Sequence, residues 1–186
     1  LGSTFGLAKE AIIHPVRVLD CDGGGTLADV LDGIDFVAKN AVLPAVANMS
    51  LGGSTDLVLN EAVAKAISAG VTFVVAAGNE FQDACNVSPA SVPEAITVGA
   101  MQKGDTKPGF SNFGKCVDIF APGVEIKSVG IGSTKSTAVL DGTSMASPHV
   151  AGAVALLLQD NPKATPAEIT ALLKANATPN VLKNIG

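Results

Sequence analysis

Short apolar runs alternate along this chain with stretches in which apolar side chains return every third or fourth position. This alternation constrains the fold more than any other feature. Continuous apolar runs make buried strands and 3.6-period stripes make helices, while strands separated by helices join into a parallel sheet through right-handed crossovers. The pattern predicts strands at 12–19, 46–51, 71–77, 95–100 and 117–120. It predicts one helix from the stripe Leu27, Val30, Leu31, Ile34 and Val37, and another from Leu59, Ala62, Val63, Ala66 and Ile67, stopped by Gly70. Residues 144–159 are apolar nearly all round, which marks a central helix. A last helix starts at Thr165, where Thr165, Pro166 and Glu168 supply a cap, a proline at the first helical position and a reciprocal acceptor. The expected architecture is α/β, a three-layer αβα arrangement around a mostly parallel sheet, with residues 1–186 in one domain. Ligands in such sheets sit beyond the carboxyl ends of the strands, here 20–27, 50–53 and 76–80.

Composition removes several functions. The 12 Lys and Arg are scattered and outnumbered by 17 Asp and Glu, a net charge of −5, so no basic surface can neutralise a phosphate backbone. No nucleic-acid partner is expected. The longest apolar stretch, 150–158, is about half of the roughly 20 residues that a spanning helix needs, so no membrane partner is expected either. Three cysteines are too few for a disulfide scaffold, and none has the C-x-x-C spacing. Cys85 and Cys116 are able to close a loop, with Cys21 left over.

Two segments carry candidate chemistry. Gly23, Gly25 and Ala28 have the spacing of a dinucleotide fingerprint, which would make this a nucleotide-binding domain. That reading also wants an acidic residue at the end of the next strand, and Asn48, Met49 and Ser50 stand there, so a glycine-rich turn fits better. The segment 142–152, Gly-Thr-Ser-Met-Ala-Ser-Pro-His-Val-Ala-Gly, sets Ser144 at the start of an apolar helix. A hydroxyl there lies near the positive end of the helix dipole and beside unpaired N–H groups, which suits a nucleophile whose attack creates an oxyanion. A plain serine cap is the commoner use of such a position.

Segment 142–152 resembles the serine motif of the subtilisin-type serine proteases. Residues 16–21, 50–53, 76–79, 110–114 and 121–123 resemble further landmarks of that family in order and spacing, with the nearest likeness to its proteinase K and aqualysin-like branch. The resemblance implies a subtilisin-like fold and endopeptidase activity through an acyl-enzyme at Ser144, with Asn79 donating to the oxyanion. It implies that Ser50, Leu51 and Gly52 form one wall of the pocket for the residue before the scissile bond, and Ala76, Ala77 and Gly78 the other. Without charge in those walls, apolar and aromatic side chains are the expected preference. Gly23 and Gly24 resemble the edge on which a substrate strand lies, with Leu27 near the fourth subsite. Further implications are a Cys85–Cys116 disulfide, a calcium ion held by Asp118 and the carbonyls of Pro93 and Ala95, protein or peptide substrates, a monomer and a secreted location.

The family's Asp and His motifs, which precede the serine, are missing. The stretch from Leu1 resembles the segment just after the family's histidine, so the sequence reads as N-terminally incomplete, and the 186 residues alone are expected to be inert. His149 lies about 140° round the helix from Ser144 and roughly 7.5 Å along it, out of reach, and His14 falls in the first expected strand. A non-catalytic module with the same fold is the competing reading.

Overall fold

The computed structural model describes residues 4–185. In chain order the elements are α1 (Leu27–Asn40), β1 (Val46–Met49), β2 (Gly53–Ser54), α2 (Leu57–Ser68), β3 (Thr72–Ala76), β4 (Val87–Ser88), β5 (Ile96–Met101), β6 (Ile119–Pro122), β7 (Ile126–Val129), β8 (Thr137–Leu140), α3 (Thr143–Asp160) and α4 (Pro166–Asn176). The central sheet has four strands in the order β1-β3-β5-β6, every pairing parallel.

Alternation of side chains across the pleat builds the layers. On β3, Phe73 and Val75 join Val30, Ile34, Leu59 and Val63 of α1 and α2, whereas Val74 faces the other way. On that second face Val74 and the β5 residues Ile96, Val98 and Ala100 meet Val150, Val154 and Leu158 of α3, with Ile169 and Leu173 of α4 behind. The expected three-layer α/β arrangement is what forms. Helix starts follow local chemistry: Thr26 with Asp29 and Thr165 with Glu168 make reciprocal capping boxes, and Asp56 caps α2.

The expected strand at 12–19 does not form. The segment runs without strand pairing, and Ile12 and Ile13 are 84% and 58% exposed. A strand needs a hydrogen-bonded neighbour, and among the described residues the open edge of β1 takes none. Instead the segment lies on α1, where Val16 and Val18 approach Gly33 so closely that a Cβ there would fall 2.3 Å from Val18 Cγ1. The antiparallel pairs β2–β4 and β7–β8 were not anticipated. The first pair has two residues per strand, and the second is half-exposed with its alternation too weak to register.

Candidate active site

Helix α3 enters the site with its first turn. Its N-cap, Gly142, has φ +146° and offers no side-chain cap, so the leading N–H groups must find partners elsewhere. Ser144 is the second helical residue, and its Oγ donates to the Ser50 carbonyl at 3.4 Å. Four residues on, Pro148 has no N–H for the Ser144 carbonyl, so the helix leaves that oxygen free. The Ser50 hydroxyl supplies the donor at 2.8 Å. Ser50 Oγ in turn receives Asn48 Nδ2 at 3.0 Å, and Asn48 Oδ1 receives the Ser147 hydroxyl at 2.7 Å. The end of β1 is thus bonded to the turn that carries Ser144.

Asn79 follows the carboxyl end of β3. Its Oδ1 accepts from the Thr143 backbone N–H at 2.9 Å and the Thr143 hydroxyl at 3.0 Å. A backbone N–H can only donate, so the atom facing it is the carboxamide oxygen and Nδ2 is turned away. A Cβ placed on Gly142 would sit 3.6 Å from the Ser144 nitrogen and 3.8 Å from Asn79 Nδ2, so both donor atoms border one small region. Ser144, Thr143 and Asn79 line a cleft of about 410 Å³ with Leu51, Gly52, Ala76 and Gly78.

Not every expected residue comes to this cleft. Ser50 reaches it only through its bonds to Ser144, and Ala77 is fully buried behind it. Gly23, Gly24 and Leu27 are exposed and lie outside its lining. The glycines form a turn closed by Asp20, whose Oδ1 accepts the N–H groups of Asp22 and Gly24 at 2.9 and 2.8 Å. Glu80, the end of the expected segment 76–80 but without a role assigned from sequence, lines the cleft, so the site is not free of charge. Its position directly after Asn79 was the available signal.

Comparison with known proteins places this architecture. A family model described as the subtilase family matches residues 2–186. The chain belongs to the subtilase family. It is 54% identical over 185 residues to the extracellular serine proteinase of Thermus sp. (strain Rt41A), covering all of this chain and 45% of that protein. It is 48% identical to alkaline serine exoprotease A of Vibrio alginolyticus, over 95% of this chain and 33% of that one. A crystal structure of a cold adapted subtilisin-like serine proteinase superposes with a TM-score of 0.88 at 50% identity, over 91% of this chain and 61% of that one. This subtilase chain therefore spans less than half the length of these two relatives.

The remaining expectations divide. Cys85 and Cys116 are joined in a disulfide, with Cα atoms 5.3 Å apart, and Cys21 is an exposed free thiol. His149 Nδ1 lies 2.8 Å from the Met145 carbonyl on its own helix, and His14 is exposed in the 12–19 segment. Asp118 does not offer a free carboxylate to calcium. Its Oδ2 accepts the Thr97 N–H at 2.8 Å and its Oδ1 accepts Lys174 Nζ at 2.6 Å. Lys174 thus already occupies Oδ1, and a calcium ion held by Asp118 with the Pro93 and Ala95 carbonyls would have to displace or share with that ammonium. Among the described residues no group of three His, Cys, Asp or Glu gathers. Among the described residues of this subtilase no helix is long and apolar enough to cross a membrane.

Proposed function

We propose that this chain carries the nucleophile and oxyanion site of a secreted serine endopeptidase of the proteinase K type. Residues 1–186 then form part of a single peptidase domain. The supporting observation is the cleft shared by Ser144 and Asn79, with Asn79 Oδ1 tied back by Thr143 and Nδ2 left for a ligand. Ser144 Oγ bonds to the carbonyl carbon of the substrate, and the carbonyl oxygen takes up the electron pair of the broken π bond. Asn79 Nδ2 and the Ser144 N–H donate to that oxygen, where fixed dipoles outperform reorienting water. As the carbonyl re-forms, the C–N bond breaks, the nitrogen takes the proton that the base removed from Ser144 and leaves as the amine, and the acyl group stays on Ser144.

The serine proton must pass to a base. Neither His14 nor His149 lies beside Ser144, so the 186 residues alone are expected to hydrolyse nothing measurable. Substrates are proteins or peptides. Their main chain runs along Gly23 and Gly24, with Leu27 contacting the fourth residue before the cut. The side chain before the scissile bond enters between Leu51–Gly52 and Ala76–Gly78. Apolar and aromatic groups suit those walls, and Glu80 adds a tolerance for cations.

The test is labelling of the full-length protein with a fluorophosphonate. Label should attach at Ser144 and vanish in Ser144→Ala, and an unlabelled wild-type protein would leave a non-catalytic subtilase fold as the correct reading.

A further inference from the structure

The loop from Ala77 to Gln82 carries Asn79 but has no regular ladder of its own, and buried backbone groups must be paired somewhere. Val98, Thr143, Phe110 and Phe113 pair some of them, and one residue, Asn112, pairs those on either side of Asn79. Asn112, fully buried, accepts at Oδ1 from the N–H groups of Glu80 at 3.1 Å and Gln82 at 3.0 Å. Its Nδ2 donates to the Ala77 carbonyl at 2.8 Å and to Glu80 Oε2 at 2.9 Å. Its own N–H donates to the Gly78 carbonyl at 3.0 Å. The carboxamide thus uses both donors and two acceptor sites, on residues that flank Asn79 from either side. Contact is so close that a Cβ on Gly78 would lie 2.3 Å from Asn112 Nδ2, and Gly78 sits at φ +101°, so only glycine fits.

We propose that Asn112 is a positioning residue: it fixes the backbone from which Asn79 reaches the oxyanion and holds the Glu80 carboxylate at the edge of the cleft. Thr143 sets which end of the Asn79 carboxamide faces the ligand, and Asn112 sets where that carboxamide stands. Aim matters at this level, because a displacement of about 1 Å can cost about 10²-fold in rate. The inference rests on the oxyanion role given to Asn79.

A double-mutant cycle in the full-length protein tests it, with kcat and KM read on one peptide substrate for Asn112→Ser, Asn79→Ala and the pair. Asn112→Ser should lower kcat roughly 10- to 100-fold while KM moves less than about threefold, and should lower kcat no further once Asn79 is alanine. Asn112→Thr adds no charge beside Glu80 and keeps a hydroxyl in the same pocket, so it serves if the serine variant does not fold. It should show the same dependence on Asn79. Independent, multiplying losses in either cycle would make Asn112 a general fold residue and overturn the proposal. A full kcat in Asn79→Ala would instead remove the oxyanion reading itself, and this inference with it.

Discussion

Thr143 gives both its backbone N–H and its hydroxyl to one atom, Asn79 Oδ1, at 2.9 and 3.0 Å, and takes the Gly78 N–H on the same hydroxyl at 3.1 Å. The residue before Ser144 is therefore the one that orients the neighbouring carboxamide. Thr143→Val keeps the backbone donor and the volume but removes the hydroxyl. Turnover should fall about three- to tenfold, the scale of one net hydrogen bond of about 1 kcal/mol, with KM little changed. Asn79→Ala should cost far more, about 10²- to 10³-fold, the loss known for one such donor in subtilisin and carried over here. Steady-state kinetics on the full-length protein measure both.

Glu80 is the one charged group at the cleft edge that the motif walls do not announce, and its Oε2 accepts from Asn112. Glu80→Gln keeps that acceptor and removes the charge. The ratio of kcat/KM for lysine over phenylalanine before the cut should fall roughly three- to tenfold, the effect of about 1 kcal/mol of screened attraction. An unchanged ratio would mean that the carboxylate does not face bound substrate.

Lys174 and Asp118 form a 2.6 Å ion pair that is 48% and 22% exposed. Such pairs contribute little, so Lys174→Met should lower stability by less than about 1 kcal/mol. Wild-type melting should be indifferent to a chelator on account of this site. If Asp118→Asn abolishes a chelator response present in the wild type, calcium displaces the lysine after all.

Lys107 is buried, its Nζ 4.7 Å above the Phe81 ring and 5.3 Å from that of Phe113, donating to the Ser111 carbonyl at 3.3 Å. Burial holds its pKa below the ordinary lysine value. The folded chain then binds this proton more weakly than the unfolded chain does. Stability should rise as pH climbs from the lowered folded value towards the unfolded value of about 10.4. Urea midpoints measured as pH approaches about 10.4 should show that rise in the wild type and lose it in Lys107→Met.

The fold was legible wherever burial is two-sided. Residues 71–77, apolar but for Thr72, read as a strand, and the capping box at Thr165 is local enough to be seen without coordinates; the similar box at Thr26 was passed over. The failure at 12–19 has the opposite cause: an apolar run records a tendency to be buried, not the identity of the partner, and α1 supplied the cover instead of a strand. At the site, the Ser144 and Asn79 motifs were visible because each is contiguous. Asn112 stands out in the sequence only as part of the landmark 110–114, since its bonds reach back some thirty residues and no local pattern encodes them. The Lys174 partner of Asp118 was invisible for the same reason.

Helix α3 touches all four strands of the central sheet along its length while its first turn presents Ser144. The Ser144 hydroxyl thus stands at the tip of a rod wedged over the whole hydrocarbon floor. Thinning that floor at Val154 or Ile96 would tilt the rod, and a defect many residues away would surface as misdirected chemistry before it showed as unfolding.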